Sequence, residues 1–363
     1  MKRNNKKKKL LALTLAAAFL ASPVALSIAD HASAAASSSK FKITAQPFNI
    51  EGAKTSIGTI NKEGSTYIAL RNFNTALGLV TNFDKNTQIA KISGNDRLLE
   101  INLKSNAITL NNQLIAGPQV IVQDNTTYLP LRFLLERMGY EIAYEQSTKL
   151  IGIHAIQEND LQIQSEVIGA DGDGKSLSVY YPVISGYSNV EVQQKINAFL
   201  KQEADKHAAA GSTEMDPVVK GNNEILAGDP KAEVRQPSLD GRYTVTYNEK
   251  GRLSLYVDYY VYSGGAHGIT ARVPYTFDLA TGDLLSLKDV IEKNANYVSV
   301  INNEIKEQIK SRKLSLIAPF ETIEANRDYF LNRNGVVIYF TQYEYTAFAD
   351  GMPEFVIPYS AFK

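Results

Sequence analysis

The chain of 363 residues contains no cysteine, and its acidic and basic side chains are equal in number, so its formal net charge is zero. The lack of cysteine excludes disulfide bonds, thiol catalysis, cysteine metal sites and a cysteine-linked lipid anchor. Residues 1–34 carry a net charge of +5, which leaves about −5 on the remainder. That acidic balance argues against nucleic-acid binding and would attract a basic protein.

The N-terminus is typical of an export signal. A basic stretch at residues 2–9 precedes an apolar run at residues 10–29, and the small residues Ala-Ser-Ala follow at 32–34. We expect residues 1–34 to be a signal peptide that is cleaved after Ala34, giving a protein that is secreted or associated with the cell wall and has no membrane contact. An uncleaved anchor is the alternative, because an apolar helix that rises about 1.5 Å per residue would just span a bilayer.

An internal repeat covers much of the first half of the chain. Seven residues recur sixty-one positions later without a gap: Tyr67, Leu70, Arg71, Gly78, Phe83, Ile89 and Ile92 correspond to Tyr128, Leu131, Arg132, Gly139, Tyr144, Leu150 and Ile153. Each unit predicts a strand, a helix that ends at a glycine, and a strand pair, in the order β-α-β-β. Alternation over residues 98–110 predicts a hairpin between the units. Arg71 and Arg132 could bind an anionic ligand, but a structural contact with carbonyls or a nearby acid is favoured.

The repeat also carries a family resemblance. The sequences TYLPLR at 127–132 and MGYEIAYEQSTKLIGI at 138–153 resemble the copper amine oxidase N-terminal-like domain, a stalk module of exported Gram-positive proteins, over about residues 41–156. The resemblance implies no copper site, since the oxidase holds its copper ligands and quinone cofactor in a separate catalytic domain. We expect no metal and no cofactor, because the histidines after residue 34 lack a paired metal-ligand spacing; they are His154, His207 and His267.

Residues 161–363 predict a single α+β domain with helices on an antiparallel sheet. We divide it into halves at about 161–245 and 246–363, joined by a stretch rich in proline and glycine at 211–241. The first helix begins at a capping box formed by Ser188 and Glu191. Its apolar face contains Val192, Ile196, Phe199, Leu200 and Ala204, and that of the second contains Val298, Ile301, Ile305 and Ile309.

Two polar features of this region have ordinary structural interpretations. The sequence DGDG at 171–174 departs from a calcium-binding loop at its later ligand positions, so it predicts a hairpin turn. His207 falls near the expected end of the first helix, where a surface imidazole would stabilise the helix dipole. Neither feature predicts a metal site.

A tyrosine-rich strand at residues 252–262 is the first candidate interface. Alternation directs one set of side chains to the core, namely Leu253, Leu255, Val257, Tyr259 and Val261, and the opposite set outward, namely Tyr256, Asp258, Tyr260 and Tyr262. Rings with polar tips are enriched at protein interfaces and can also stack on sugars. A helix packed over the tyrosine face is the equally weighted alternative.

A second resemblance covers most of residues 161–363. The sequences YSGGAHG at 262–268, NGVVIYF at 334–340, YEY at 343–345 and EFVIPY at 354–359 resemble the extracellular domain of lysozyme-sensing anti-sigma factors, which also accompanies some peptidoglycan deacetylases. The resemblance implies binding of a protein such as lysozyme. The chain departs from the family at Thr346, where the family has proline.

These observations predict a secreted, non-catalytic cell-envelope binding protein that recognises a lysozyme-like protein or a cell-wall glycan, with the repeat domain as a stalk or wall contact. The predicted partner-binding residues are Tyr256, Tyr260, Tyr262, Tyr343, Tyr345 and Phe348. An envelope-acting hydrolase or deacetylase-like enzyme that uses the His267 loop is the alternative, and a structural spacer is the third. No nucleophile elbow or zinc-binding motif accompanies His267, so a structural role for it is favoured.

Overall fold

A computed structural model gives the fold of residues 40–73, 77–291 and 294–363. Within these ranges twenty strands outnumber four helices, which confirms the predicted α+β class. The predicted signal peptide at residues 1–34 lies outside the described residues. Within the described ranges no helix is long and apolar enough to cross a membrane.

The N-terminal segment forms two sheets that enclose one aliphatic core. Its elements are β1 (Ile43–Ile50), β2 (Ala53–Lys62), β3 (Ser65–Ala69), β4 (Val80–Asp84), β5 (Ile89–Gly94), β6 (Arg97–Asn102), β7 (Ile108–Leu110), β8 (Gln113–Ile115), β9 (Ile121–Gln123), β10 (Thr126–Pro130), α1 (Leu131–Arg137), β11 (Tyr140–Glu145) and β12 (Leu150–Ala155). The first sheet has the order β11-β12-β1-β2-β3-β10-β9, and the second has the order β4-β5-β6-β7-β8. Helix α1 adds Leu131, Leu134 and Leu135 to the core between them.

The two repeat units meet at equivalent residues. Strands β3 and β10 are antiparallel, and Ile68 pairs with its counterpart Leu129. Both side chains are fully buried, so the repeat is related to itself by an approximate twofold axis at this point. The predicted hairpins β4-β5 and β11-β12 and the predicted strand pair between the units are confirmed. Gly139 follows helix α1 with φ of 84°, the left-handed conformation predicted for a helix stop.

The C-terminal segment contains a long five-stranded sheet and a separate three-stranded sheet. Its elements are β13 (Gln162–Gly172), β14 (Lys175–Ser185), α2 (Val190–Gly228), β15 (Ser238–Glu249), β16 (Arg252–Tyr262), β17 (Ile269–Asp278), α3 (Leu287–Ile291), α4 (Tyr297–Arg312), β18 (Tyr329–Asn332), β19 (Gly335–Tyr339) and β20 (Glu354–Pro358). The larger sheet has the order β13-β14-β15-β16-β17, and the smaller has the order β18-β19-β20. The turn at residues 173–174 joins β13 to β14, as the sequence predicted.

Helix α2 corrects two predictions. It runs for 39 residues and continues through Gly211 and Pro217, where we expected a junction between two halves. Gly211 is needed for packing, because a Cβ atom there would lie 2.6 Å from a methyl carbon of Leu239. The N-cap is Asn189, whose side chain accepts a hydrogen bond from the Val192 amide, and not the predicted Ser188. The other predicted division, between residues 245 and 246, lies inside strand β15.

The buried face of α2 covers one side of the larger sheet. Four of the five residues predicted to face inward on β16 are buried, namely Leu253, Leu255, Val257 and Tyr259, and Val261 is partly buried against the same core. His207 lies within α2 rather than near its end, because the helix continues to Gly228, and its ring stacks on Tyr259 at a centroid distance of 4.2 Å. The predicted role at the helix C-terminus is therefore wrong, and partial burial lowers the pKa of this imidazole.

The opposite side of the larger sheet contacts the N-terminal segment through specific hydrogen bonds. Strands β14 and β15 stop pairing after the Val179–Gly241 pair, which leaves the backbone of Tyr243 without a strand partner on that side. The buried Gln113 side chain takes the position of a strand partner. Its Nε2 donates to the Tyr243 carbonyl at 2.9 Å, and its Oε1 accepts from the Tyr243 backbone amide at 2.9 Å. Arg333 adds an ion-pair bridge between Glu141 at 2.6 Å and Glu249 at 2.9 Å.

Candidate functional site

Three aromatic side chains lie side by side where two loops of the C-terminal segment meet. Tyr343 and Phe348 belong to the loop that connects β19 to β20, and their ring centroids are 5.5 Å apart. Phe348 stacks on His267, from the loop between β16 and β17, at 3.9 Å and an interplanar angle of 23°. We call Tyr343, Phe348 and His267 the aromatic row. It combines apolar rings with polar tips, the chemistry that suits a protein or sugar interface.

The backbone of Tyr343 is held in an unfavourable conformation. Its φ angle is 64°, in the left-handed region that bulky residues rarely adopt. Such a conformation costs about 1–3 kcal/mol and persists where the surrounding structure enforces it, often at functional sites. Burial of the ring does not compensate for this cost, because Tyr343 is 51% exposed. The loop therefore holds this ring exposed to solvent at a cost in conformational free energy.

An ion pair beneath the loop fixes its path. The two terminal nitrogens of Arg327, Nη1 and Nη2, donate to the Glu344 carboxylate, at 2.6 and 2.7 Å, and the Thr341 amide donates to the same carboxylate at 2.8 Å. Burial disfavours the charged form of Glu344, but the hydrogen bonds from Arg327 and Thr341 outweigh it and lower the pKa of this carboxyl. A second hydrogen bond ties this loop to the start of β17, since the Thr270 amide donates to the Gln342 side chain at 2.8 Å.

Tyr345 points inward although it lies only two residues from Tyr343. Its ring packs on Phe340 at 4.5 Å and on Phe320 at 5.5 Å, and Phe340 contacts Phe355 at 4.7 Å. We call these four residues the inner cluster. The structure thus separates Tyr345 from the other predicted partner-binding residues of the loop.

Tyr256 is also placed inside the structure. Its ring lies 5.1 Å from that of Phe330, and the Arg272 guanidinium covers it at 3.7 Å. Burial raises the pKa of Tyr256. A helix packed over this face was the predicted alternative to an exposed surface. The face is covered at Tyr256, but by Phe330 of the smaller sheet and by Arg272 rather than by a helix. The Tyr256 ring packs inside the protein and is not part of the aromatic row.

Tyr260 and Tyr262 brace the glycine-rich loop that carries His267. The Tyr260 hydroxyl accepts a hydrogen bond from the Gly268 amide at 3.0 Å, and the Tyr262 hydroxyl donates to the Gly265 carbonyl at 3.0 Å. Gly268 has no room for a side chain, because a Cβ atom would lie 2.5 Å from the Tyr260 ring. Tyr260 is 38% exposed, so it adds accessible ring surface near the row.

His267 contacts a ring and a backbone carbonyl. Its Nδ1 atom lies 3.0 Å from the Gly268 carbonyl, and because a carbonyl oxygen accepts, Nδ1 is the donor of this hydrogen bond. The described ranges contain no cluster of three or more histidine and acidic side chains that could hold a metal. His154, the histidine of the repeat, lies with its Nδ1 3.9 Å from the half-exposed Glu51 carboxylate.

The structure also shows the contacts of Arg132, of Thr346 and of the ion pair that positions Tyr343. Arg132 forms an exposed ion pair with Glu136 at 2.6 Å, which is the structural contact that was favoured for it. The residues that position Tyr343 were missed: Arg327 and Glu344 are seventeen positions apart, and no local pattern connects them. Thr346 is fully buried, and in the described part of the chain its hydroxyl has no hydrogen-bond partner.

Three domain-family profiles match the chain. The copper amine oxidase N-terminal domain matches residues 48–153, the deacetylase PdaC family matches residues 170–270, and DUF3298, a family of unknown function, matches residues 288–360. The aromatic row draws on the last two matches, because His267 lies in the PdaC match and the two loop rings lie in the DUF3298 match.

Two curated proteins of Bacillus subtilis (strain 168) are similar to the chain. Peptidoglycan-N-acetylmuramic acid deacetylase PdaC is 25% identical over 165 residues, which cover 45% of this chain and 29% of that protein. Anti-sigma-V factor RsiV is 26% identical over 218 residues, which cover 53% of this chain and 65% of that protein. The chain thus spans less than two thirds of the length of either relative.

Solved structures of two DUF3298 family proteins also resemble the chain. The protein from Bacteroides fragilis NCTC 9343 gives a TM-score of 0.42 at 18% identity and covers 55% of this chain and 91% of its own. The protein from Pseudomonas aeruginosa PAO1 gives 0.39 at 17% identity and covers 56% and 93%. By its family matches, the chain carries a copper amine oxidase N-terminal domain followed by PdaC-type and DUF3298 sequence, which confirms both resemblances predicted from its motifs.

Proposed function

We propose that this protein is a non-catalytic binding protein of the cell envelope, exported to the outside, that binds an extracellular protein through the aromatic row. A lysozyme-like protein is the first candidate partner. The resemblance to lysozyme-sensing anti-sigma factors supports this choice, as does the similarity to anti-sigma-V factor RsiV over 53% of the chain. A cell-wall glycan is the second candidate ligand for the same surface.

The observation that carries the proposal is the conformation of Tyr343. An exposed ring on a left-handed backbone, held by the Arg327–Glu344 ion pair, is already ordered before a partner arrives. Binding then costs little side-chain or loop entropy, which is how rigid aromatic anchors gain affinity. An acidic remainder of the chain also favours encounter with a basic protein such as lysozyme.

The enzyme alternative is less well supported. A catalytic imidazole requires a carboxylate or another group to orient it, and a substrate-facing nitrogen in a concave site. The His267 ring is exposed and stacked on Phe348, and its Nδ1 is engaged by a backbone carbonyl. These contacts favour a binding surface, and the similarity to the deacetylase PdaC covers only 29% of that enzyme.

The test is the affinity of the purified chain for hen lysozyme by surface plasmon resonance, before and after Tyr343→Ala. Truncation of a central aromatic anchor costs about 2 kcal/mol, so we expect roughly thirtyfold weaker binding. Tyr144→Ala is the matched control, because Tyr144 is also a half-exposed tyrosine, at 56%, but lies on β11 of the repeat.

The melting temperatures of both variants should stay near that of the wild type, since neither ring is buried. Unchanged lysozyme affinity in Tyr343→Ala would contradict the proposed surface. Absence of lysozyme binding by the wild type would contradict the proposed partner, and the same variants would then be compared on cell-wall glycan.

A further inference from the structure

A cleft of about 1020 Å³ lies between the N-terminal segment and the outer face of the larger sheet. Its volume is in the range of natural small-molecule sites. One wall is provided by β15 and β16, including Asp240, Thr244 and Tyr260, and the other by the end of α1 and the connecting residues 156–161. The Gln113 and Arg333 contacts between the segments hold these walls at a fixed separation.

The sheet wall is polar and rigid. Asp240 accepts two hydrogen bonds from Arg242, one of them at 2.8 Å, and Asp258 accepts two from Arg272, at 2.8 and 2.9 Å. In each ion pair the two charges balance. The lone pairs and N–H groups that remain free can hydrogen-bond to neutral hydroxyl groups. The Tyr260 ring, fixed by its bond to the Gly268 amide, supplies a flat apolar surface beside them. Hydroxyl groups around an apolar face are the chemistry of a sugar ring.

The opposite wall contains a cation without an acidic partner. The Arg137 guanidinium donates to the Phe133 carbonyl of its own helix at 3.2 Å and lies 4.0 Å from the Phe133 ring. The neighbouring Glu136 carboxylate is engaged by Arg132. Within the described ranges no carboxylate lies at ion-pair distance from Arg137. Burial lowers the pKa of this guanidinium, which still carries its positive charge at neutral pH.

We infer that this cleft binds a short carbohydrate that carries a carboxylate, with Arg137 pairing with the carboxylate and the sheet wall contacting the sugar hydroxyls. A planar carboxylate matches the free edge of a guanidinium and would complete its hydrogen bonding. The inference goes beyond the proposed protein-binding function and concerns a different surface, although Tyr260 lies near both. Both segments contribute to this site, so the N-terminal segment would be a ligand-binding wall as well as a stalk.

The test uses two disaccharides of the same size. The disaccharide of N-acetylglucosamine and N-acetylmuramic acid has a carboxylate, and N,N′-diacetylchitobiose has none. We expect the full chain to bind the acidic sugar about tenfold more tightly in an NMR titration. Arg137→Gln should abolish this preference, whereas Arg132→Gln, five residues closer to the N-terminus and already paired with Glu136, should keep it.

A second variant protects the test from a folding defect. Gln157 is exposed and lines the cleft, so Gln157→Tyr narrows it without removing a buried contact and should weaken binding of both sugars. Equal affinity for the two disaccharides would overturn the inference, as would no binding of the acidic sugar at millimolar concentration. Both outcomes leave the lysozyme experiment unaffected, because the Tyr343 surface is unchanged in these variants.

Discussion

The inner cluster and the aromatic row each include aromatic residues from the loop that connects β19 to β20, yet the two groups differ in their exposure to solvent. Tyr345 is enclosed by Phe320 and Phe340, whereas Tyr343, two residues earlier, is presented to solvent. Enclosed rings contribute to stability through burial, and an exposed ring on a strained backbone contributes little. The number of aromatic residues therefore marks this loop as a candidate interface, but the backbone conformation decides which of its rings is exposed to a partner.

The largest expected difference lies in stability. Phe340→Ala should lower the free energy of unfolding by about 3–5 kcal/mol, because it removes a fully buried ring that contacts three other aromatic residues. Phe348→Ala in the aromatic row should cost less than about 1 kcal/mol. Urea unfolding followed by circular dichroism measures both. Comparable losses in the two variants would show that the row belongs to the core.

The ion pair beneath the loop should give the next largest effect. Arg327→Met leaves the Glu344 carboxylate partly buried without its partner, so we expect a loss of about 2–4 kcal/mol. Arg132→Met, which breaks the exposed pair with Glu136, should cost less than about 1 kcal/mol. The unfolding midpoint in urea checks both values. A small effect of Arg327→Met would mean that the loop is positioned by other contacts.

Backbone strain at Tyr343 can be separated from loss of its ring. Tyr343→Gly removes the ring and relieves the left-handed conformation, whereas Tyr343→Ala removes the ring and keeps it. We therefore expect the glycine variant to be more stable than the alanine variant by about 1 kcal/mol. Both should lose affinity for the partner. A glycine variant no more stable than the alanine variant in thermal unfolding would argue against strain at this position.

Two histidine–aromatic stacks extend the comparison to pH. His207 stacks on Tyr259 beneath α2, where burial lowers its pKa from the usual value of 6.5, whereas His267 stacks on Phe348 at the surface. The unfolded state therefore binds the His207 proton more tightly than the folded state does. The stability that neutral His207 contributes to the fold is fully present above pH 6.5 and is lost as the pH falls below it. Melting temperatures measured from pH 7.5 to 5 should fall less steeply for His207→Phe than for the wild type. Equal slopes would contradict the buried placement of His207.

Thr346 should give the smallest effect. Its buried hydroxyl has no hydrogen-bond partner among the described residues, so Thr346→Val should raise the free energy of unfolding by about 0.5–1 kcal/mol. Thr276→Val is the matched control, because the Thr276 hydroxyl bonds to that of Ser254 at 2.8 Å and its removal should be destabilising. A destabilising Thr346→Val variant would indicate that this hydroxyl has a partner.

Periodicity predicted the parts of the fold that rest on local patterns. The hairpins of the repeat, the glycine that follows helix α1 and the inward face of β16 follow from local patterns that the structure contains. The described part of the helix predicted before Gly78 is a 3-10 turn at Leu70–Phe73. Helix α2 was misjudged at Gly211, because the sequence cannot distinguish a glycine that ends a helix from one that allows close packing on Leu239. The error shortened the helix and misplaced His207.

The candidate site was only partly predictable. The motif around His267 and the tyrosine-rich loop pointed to two loops that meet in the structure, where the rings of Tyr343, Phe348 and His267 are in contact. Sequence alone did not separate Tyr343 from Tyr345, since both belong to the same three-residue motif and the direction of each ring depends on φ. Arg137 was missed because its significance arises from a wall supplied by strands more than one hundred residues away.

A partner that covers the aromatic row should protect its two loops from hydrogen–deuterium exchange, which can be measured on the chain with and without lysozyme. We expect slower exchange in residues 341–350 and 263–268 upon binding, with strand β11 and its exposed Tyr144 unchanged. Protection confined to the repeat, or no protection in either loop at saturating lysozyme, would contradict the proposed binding surface.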